Sequence, residues 1–195
     1  MKTVLLTLCA ASLLAACGQK NEQPAQPETG ATATPSTPPV APPAGEMASG
    51  ATVQLAATQG HSARGSLTLT SEADGVRLTG SVEGLKPTGE FGFHIHEIGD
   101  CSAPDASSAG PHFNPGNAVH GNPEGGAHHA GDLYNLKSDG QGVARVDVLA
   151  RGTTLGGAQA TDVRGRAVVV HEKADDYSTQ PSGDSGDRIS CGVIN

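Results

Sequence analysis

Eight histidines carry most of the chemical potential of this 195-residue chain. Two of them lie in the run Phe91-Gly92-Phe93-His94-Ile95-His96. Side chains on an extended strand alternate faces, so Phe91, Phe93 and Ile95 share a core face. His94 and His96 share the other face, where the following loop can cover them. Such an H-x-H pair is a two-point metal clamp, though weak as a signal by itself. Val168-Val169-Val170-His171 has the same parity, with Val168 and Val170 inward and Val169 and His171 outward. Between these strands runs a Gly- and Pro-rich stretch holding His112, His120, His128, His129 and Asp132. Packing offers no reason for that many imidazoles; a solvated His-rich loop is the alternative. Neutral imidazole suits copper and zinc, and three imidazoles with one carboxylate suit tetrahedral zinc. A zinc ion there would also hold the loop in shape.

These groups need a scaffold, and the chain from Ala51 to Asn195 supplies short strands rather than helices. Thr52 to Thr58 alternates, with Val53, Leu55 and Ala57 on one face, and Leu67 and Leu69 continue the pattern. Asp74-Gly75 and Asp139-Gly140 are hairpin signals. The first returns into Val76, Leu78 and Val82, the second into Val146 and Val148. Helical periodicity is absent, and 27 glycines with only two Tyr, three Phe and no Trp exclude a helical bundle. Short strands with frequent turns predict an all-β sandwich or barrel. Glu97–Gly131 and Glu172–Asp187 do not fit strands, and loops that long are functional or stapled. Twelve Lys and Arg against twenty Asp and Glu give a net charge of −8, which argues against a nucleic-acid partner.

The first fifty residues read differently. Val4 to Ala16 is apolar or small but shorter than the ~20 residues of a membrane span. It suits the hydrophobic region of an export signal over residues 1–16. The ending Leu14-Ala15-Ala16-Cys17 resembles the lipobox of bacterial lipoproteins, which makes Cys17 the expected lipid carrier. An ordinary secretory signal with a chance cysteine is the alternative. Residues 17–50 contain seven of the thirteen prolines and few charges, the composition of a disordered, semi-stiff tether. Cys9 leaves with the signal, so Cys101 and Cys191 remain as one possible pair in an oxidising compartment. Bonding them closes ~90 residues and contributes ~4–5 kcal/mol in the chain-entropy account. Two unpaired buried thiols are the alternative.

Taken together, Gly92-Phe93-His94-Ile95-His96-Glu97, Gly110-Pro111-His112-Phe113-Asn114-Pro115, His129-Ala130-Gly131-Asp132-Leu133, Val170-His171-Glu172 and Gly186-Asp187-Arg188-Ile189-Ser190-Cys191-Gly192-Val193 resemble copper/zinc superoxide dismutase. The likeness covers most of 51–195 and none of 1–50. It implies an eight-stranded Greek-key β-barrel, immunoglobulin-like in architecture, with metals outside it under the two long loops. It implies copper on His94, His96, His112 and His171, and zinc on His112, His120, His129 and Asp132, His112 bridging the two. Asp175 matches the carboxylate that links a copper histidine to a zinc histidine, and Arg188 the arginine that attracts the anion beside copper. His61 and His128 fall outside the pattern. The implied activity is dismutation of superoxide to oxygen and hydrogen peroxide by redox-cycling copper. The implied setting is the bacterial cell envelope, on a lipid anchor with Gly18 favouring the outer membrane, as a homodimer or a monomer. Asp175, Asp176, Asp184 and Asp187 outnumber Lys173 and Arg188 in the second loop, which puts positive guidance of the substrate in question.

Overall fold

The computed structural model describes residues 50–195; the expected signal, the lipidation site Cys17 and all but the last residue of the tether lie outside them. Within that range the chain forms β1 (Gly50–Ala57), β2 (Arg64–Glu72), β3 (Gly75–Glu83), β4 (Glu90–Phe91), β5 (Phe93–His96), β6 (Leu136–Lys137), β7 (Ala144–Arg151), β8 (Ala167–His171) and β9 (Arg188–Val193). The described residues hold no α-helix, only a 3-10 turn at Ser107–Ala109. The strands form because their apolar residues recur every second position. Val53 and Leu55, Leu67 and Leu69, Val76 and Leu78 are all buried, with exposed residues between most of them. Ala57 departs from the expected inward face and is exposed, because β1 turns from β2 to β9 at that end.

Antiparallel pairing runs in the order β5-β8-β9-β1-β2-β3-β7, with β4 and β6 as a second pair. The bridge Ser138↔Ala144 joins the end of β6 to β7, and only Gly92 separates β4 from β5. The ring of strands therefore closes as a barrel with Greek-key crossovers. Counting β4 and β5 as one interrupted strand reduces nine segments to the expected eight. The interruption has a cause: the Gly92 N–H donates to the Lys173 carbonyl and its carbonyl accepts from the His171 N–H. Gly92 is thus tied to the second loop and the end of β8.

Two further expectations change. The first hairpin turns on Ala73 and Asp74, with Glu72 opposite Gly75, rather than on the Asp-Gly pair. In the second, Asp139 Oδ1 accepts from the Gln141 and Val143 N–H groups, building a longer turn than two residues. Residues 152–166, which carry no conspicuous motif, form a third long connection. It is held by Asp162, whose carboxylate accepts from the Gly156, Ala158 and Arg164 N–H groups.

Cys101 and Cys191 are bonded, with Cα atoms 5.8 Å apart. The bond pins the first loop over the outer side of β8 and β9. There Val169 joins Ala106, Ala109, Ala167 and Cys191 in a small apolar cluster apart from the barrel core. Val169 therefore faces away from the barrel yet is fully buried.

Candidate metal centre

The barrel places the histidines by register. β5 and β8 are neighbours with His94 opposite Val169, and His171 ends β8 just after a register shift at Val170. The first loop then folds back along β5, so that His96 bridges His112 and His94 bridges Asp132. Gly131 permits this approach, since a Cβ there would overlap the Ile95 carbonyl. Two side-chain clusters result: His94, His96, His112 and His171, and His112, His120, His129 and Asp132, with His112 in both. In each, the potential ligand atoms lie within 4.8 Å of one another and all residues are buried.

Hydrogen bonding decides which ring nitrogens face inward. A carbonyl or carboxylate only accepts, so the imidazole nitrogen bonded to it must carry the proton. His96 Nδ1 donates to the Gly110 carbonyl at 2.8 Å and His171 Nδ1 to the Gly186 carbonyl at 3.3 Å. His94 Nε2 donates to Asp175 Oδ2 at 2.7 Å. Their other nitrogens are lone pairs. His96 Nε2 and His171 Nε2 face each other at 3.4 Å. Burial pushes both rings well below the ordinary histidine value, helped by the neighbouring imidazoles. Burial likewise lowers His94 to about 4, against an opposing pull from Asp175. Neutral rings with opposed lone pairs cannot bond to one another; a cation between them resolves the conflict.

The second cluster makes the same demand. Asp132 Oδ2 accepts from the Gly121 and His129 N–H groups, which turns Oδ1 toward the imidazoles. Nδ1 of His112, His120 and His129 lie 2.8, 3.1 and 3.2 Å from that one oxygen. Metal–ligand bonds of about 2.0–2.1 Å in a tetrahedron set ligands about 3.3 Å apart, close to this spacing. His94 Nδ1, His112 Nε2, His120 Nδ1 and His129 Nδ1 are buried without a hydrogen-bond partner, which in a protein interior calls for an explanation. Burial opposes charging of His120, yet the Asp132 and Asp175 carboxylates beside the ring outweigh it and raise the ring to about 9. Burial also resists ionisation of Asp132, but the adjacent His112 and His120 rings hold it well below the usual carboxylate range. The pocket is built around a positive charge, and its donor set fits a metal ion.

Asp175 joins the clusters. Its two oxygens accept from His94 Nε2 and, at 3.0 Å, from His120 Nε2. Burial works against its charge, but those bonds keep it ionised well below the ordinary range. A Cβ on Gly183, which has φ +71°, would overlap Asp175 Oδ1, so glycine is required beside this link. Asn135 grips the Asp175 backbone from both sides: its Nδ2 donates to the carbonyl and its Oδ1 accepts from the N–H, each at 2.8 Å. Sequence reasoning missed Asn135 and Gly183, which stand in no pattern that marks them, and the role of the Gly110 carbonyl, although Gly110 opens one of the motifs quoted above.

A cleft of about 750 Å³ opens onto His96, His112 and His171, with Pro181 and Ser182 among its lining residues. Arg188 stands in it, its Nη1 and Nη2 donating to the Ala106 and Gly110 carbonyls at 2.7 Å each. The Gly110 carbonyl thus holds both Arg188 and His96. Burial lowers the guanidinium from its ordinary value and Asp105 pulls it back; an arginine remains a cation at working pH. The other charged lining residue apart from histidine is Glu97, paired with Arg166, which also stacks 4.3 Å over Phe113. The acidic loop places no carboxylate in the lining of the cleft. Asp175 is buried between the histidines, Asp176 caps the Ser178 and Thr179 backbone, and Asp184 and Asp187 are exposed and do not line the cleft. His61 and His128 join neither cluster; His128 Nδ1 donates to the His129 carbonyl.

Comparison with known proteins places these clusters in company. A family model described as copper/zinc superoxide dismutase matches residues 63–194. The superoxide dismutase-like protein YojM of Bacillus subtilis (strain 168) is 38% identical, over 99% of this chain and 95% of its own length. Superoxide dismutase [Cu-Zn] 2 of Aquifex aeolicus (strain VF5) is 44% identical, over 62% of this chain and 72% of its own length. A crystal structure of a SOD-like protein from Bacillus subtilis superposes with a TM-score of 0.67 at 41% identity, covering 74% of this chain and 97% of that one.

Proposed function

The chain belongs to the copper/zinc superoxide dismutase family, and from that premise we propose that it dismutes superoxide to oxygen and hydrogen peroxide. Copper would be held by His94, His96, His112 and His171, and zinc by His112, His120, His129 and Asp132. The observation that carries this reading is the pair of complete clusters sharing His112, the first opening on a cleft that contains Arg188. Bound copper supplies alternating one-electron oxidation and reduction, so that two superoxide ions and two protons yield one oxygen and one hydrogen peroxide.

The chain's own residues do the rest. Arg188 attracts a small monoanion into the cleft and aims it, its fork fixed by two carbonyls. His112 Nε2 is buried and makes no hydrogen bond. It can hold a proton at the floor of the cleft and give it to the departing product. The opposite nitrogen of that ring lies 2.8 Å from Asp132 Oδ1, where both atoms would serve as zinc ligands, and Asp175 fixes the orientation of His94 and His120. A second reading, a metal-binding module without turnover, draws on the likeness over nearly the whole chain to a protein named only dismutase-like. Loading separates the two. Copper-and-zinc protein should catalyse superoxide decay in a cyanide-sensitive manner and zinc-only protein should not; copper uptake without turnover would favour the second reading.

The same proposal places the enzyme in the bacterial envelope, lipid-anchored through Cys17, with the outer membrane favoured and the tether holding the domain where external superoxide arrives. The support is Leu14-Ala15-Ala16-Cys17 followed by Gly18 and a proline-rich stretch. Radioactive palmitate should label the wild-type chain and not Cys17→Ser; an unlabelled wild type would remove the anchor.

A further inference from the structure

The second loop, Glu172–Asp187, reaches the second cluster at two points. One is the Asp175 carboxylate. The other is Gln180, whose Oε1 accepts from the His120 N–H at 2.9 Å and whose Nε2 donates to the His120 carbonyl at 2.8 Å. His120 lies outside every strand, and among the described residues no other group bonds to its backbone N–H or carbonyl. A carboxamide offers a donor and an acceptor side by side, and here it takes both polar backbone groups of one residue.

The consequence for the side chain is direct. His120 must aim Nδ1 at the cluster while Nε2 stays on Asp175. Asp175 fixes the far end of the ring and Gln180 fixes the backbone from which the ring hangs, so position and tilt are set from the same loop. We infer that Gln180 is a positioning residue for the second cluster, coupling closure of the second loop to metal retention there. The inference rests on the reading that this cluster holds zinc. Pro181 and Ser182, the next residues, line the cleft, so the clasp also sets one part of its wall.

Gln180 is exposed, so its two hydrogen bonds compete with water and their effect should be modest. In the full chain, Gln180→Ala should release zinc to a chelator about tenfold faster than wild type, the size expected of two partly exposed hydrogen bonds. Gln180→Glu keeps the acceptor for the His120 N–H but turns a second acceptor toward the carbonyl, and should release zinc at least as fast as Gln180→Ala. Cobalt(II) in the second cluster should show an altered visible spectrum in both variants. The His120 amide should exchange faster with solvent while amides of β1 keep their wild-type protection. Gln141→Ala, on an exposed turn, should match wild type throughout. Wild-type zinc release and cobalt spectrum in folded Gln180→Ala would overturn the inference, and would do so even with faster His120 exchange, which would leave Gln180 a loop fastener alone. A wild-type chain that takes up neither zinc nor cobalt at this cluster would overturn the zinc reading and the inference with it.

Discussion

His112→Ala should abolish most turnover and disturb both metals together, because His112 alone contributes to both clusters. Its Nδ1 is 2.8 Å from Asp132 Oδ1, while its Nε2 is buried and unpaired on the side of the other three histidines. Its ring centroid is 3.9 Å from that of His94, so an alanine would open a gap between the clusters. The expected loss in turnover is about 10²–10⁴-fold, the range for removing a positioned acid–base group, before any further loss from incomplete metal binding. Metal analysis should find zinc depleted, and the copper EPR spectrum should change in the same sample. His61→Ala should leave metal content, spectrum and rate at wild-type values, since His61 is exposed and outside both clusters. An unperturbed copper spectrum with full zinc in His112→Ala would rule out a shared ligand.

Arg188→Glu should lower turnover per bound copper at limiting superoxide by at least about tenfold. A unit charge about 5 Å from the substrate at an effective dielectric near 20 contributes about 3 kcal/mol. Solvent and ions in an open cleft reduce this to about 1–2 kcal/mol, and each ~1.4 kcal/mol is a factor of ten in rate. No second free cation among the cleft's lining residues can compensate, because Glu97 is the other charged lining residue apart from histidine. Charge reversal should also invert the salt dependence: added salt slows the wild type by screening attraction and should relieve the variant by screening repulsion. Arg188→Lys separates two roles. It keeps the charge but loses the fork that grips the Ala106 and Gly110 carbonyls, so it should fall between wild type and Arg188→Glu. Because the Gly110 carbonyl also holds His96, rates must be expressed per bound copper. A metallated Arg188→Glu with wild-type rate and salt dependence would remove Arg188 from substrate guidance.

The strands and the strand-borne candidates His94, His96 and His171 were legible because alternation leaves a trace in the sequence. The division of the loop residues into two sets sharing His112 came instead from the likeness to the family. The parity of Phe93-His94-Ile95-His96 follows from strand geometry alone, as does the position of His171 after Val168 and Val170. The second loop was bounded correctly, since β8 ends at His171 and β9 begins at Arg188. What escaped is whatever depends on where a loop's backbone travels. Gln180 and Asn135 act on backbone groups 60 and 40 residues away, and no periodicity records such a meeting. Gly183 is one glycine among many until Asp175 is seen lying where its Cβ would be. The break at Gly92 and the Asp162-centred connection escaped for the same reason, each being made by hydrogen bonds to distant or turn backbone. The positions of the acidic loop's carboxylates were hidden in the same way: Asp175 is buried, Asp176 caps a turn, and Asp184 and Asp187 lie outside the lining of the cleft.

The most direct test of the central claim is superoxide decay after pulse radiolysis, measured on the full chain as copper occupancy is raised with zinc already bound. The account predicts a catalytic rate that rises in proportion to bound copper, is suppressed by cyanide, and is nearly absent from His112→Ala at equal copper. Decay that stays at the uncatalysed rate while copper fills its site would contradict it.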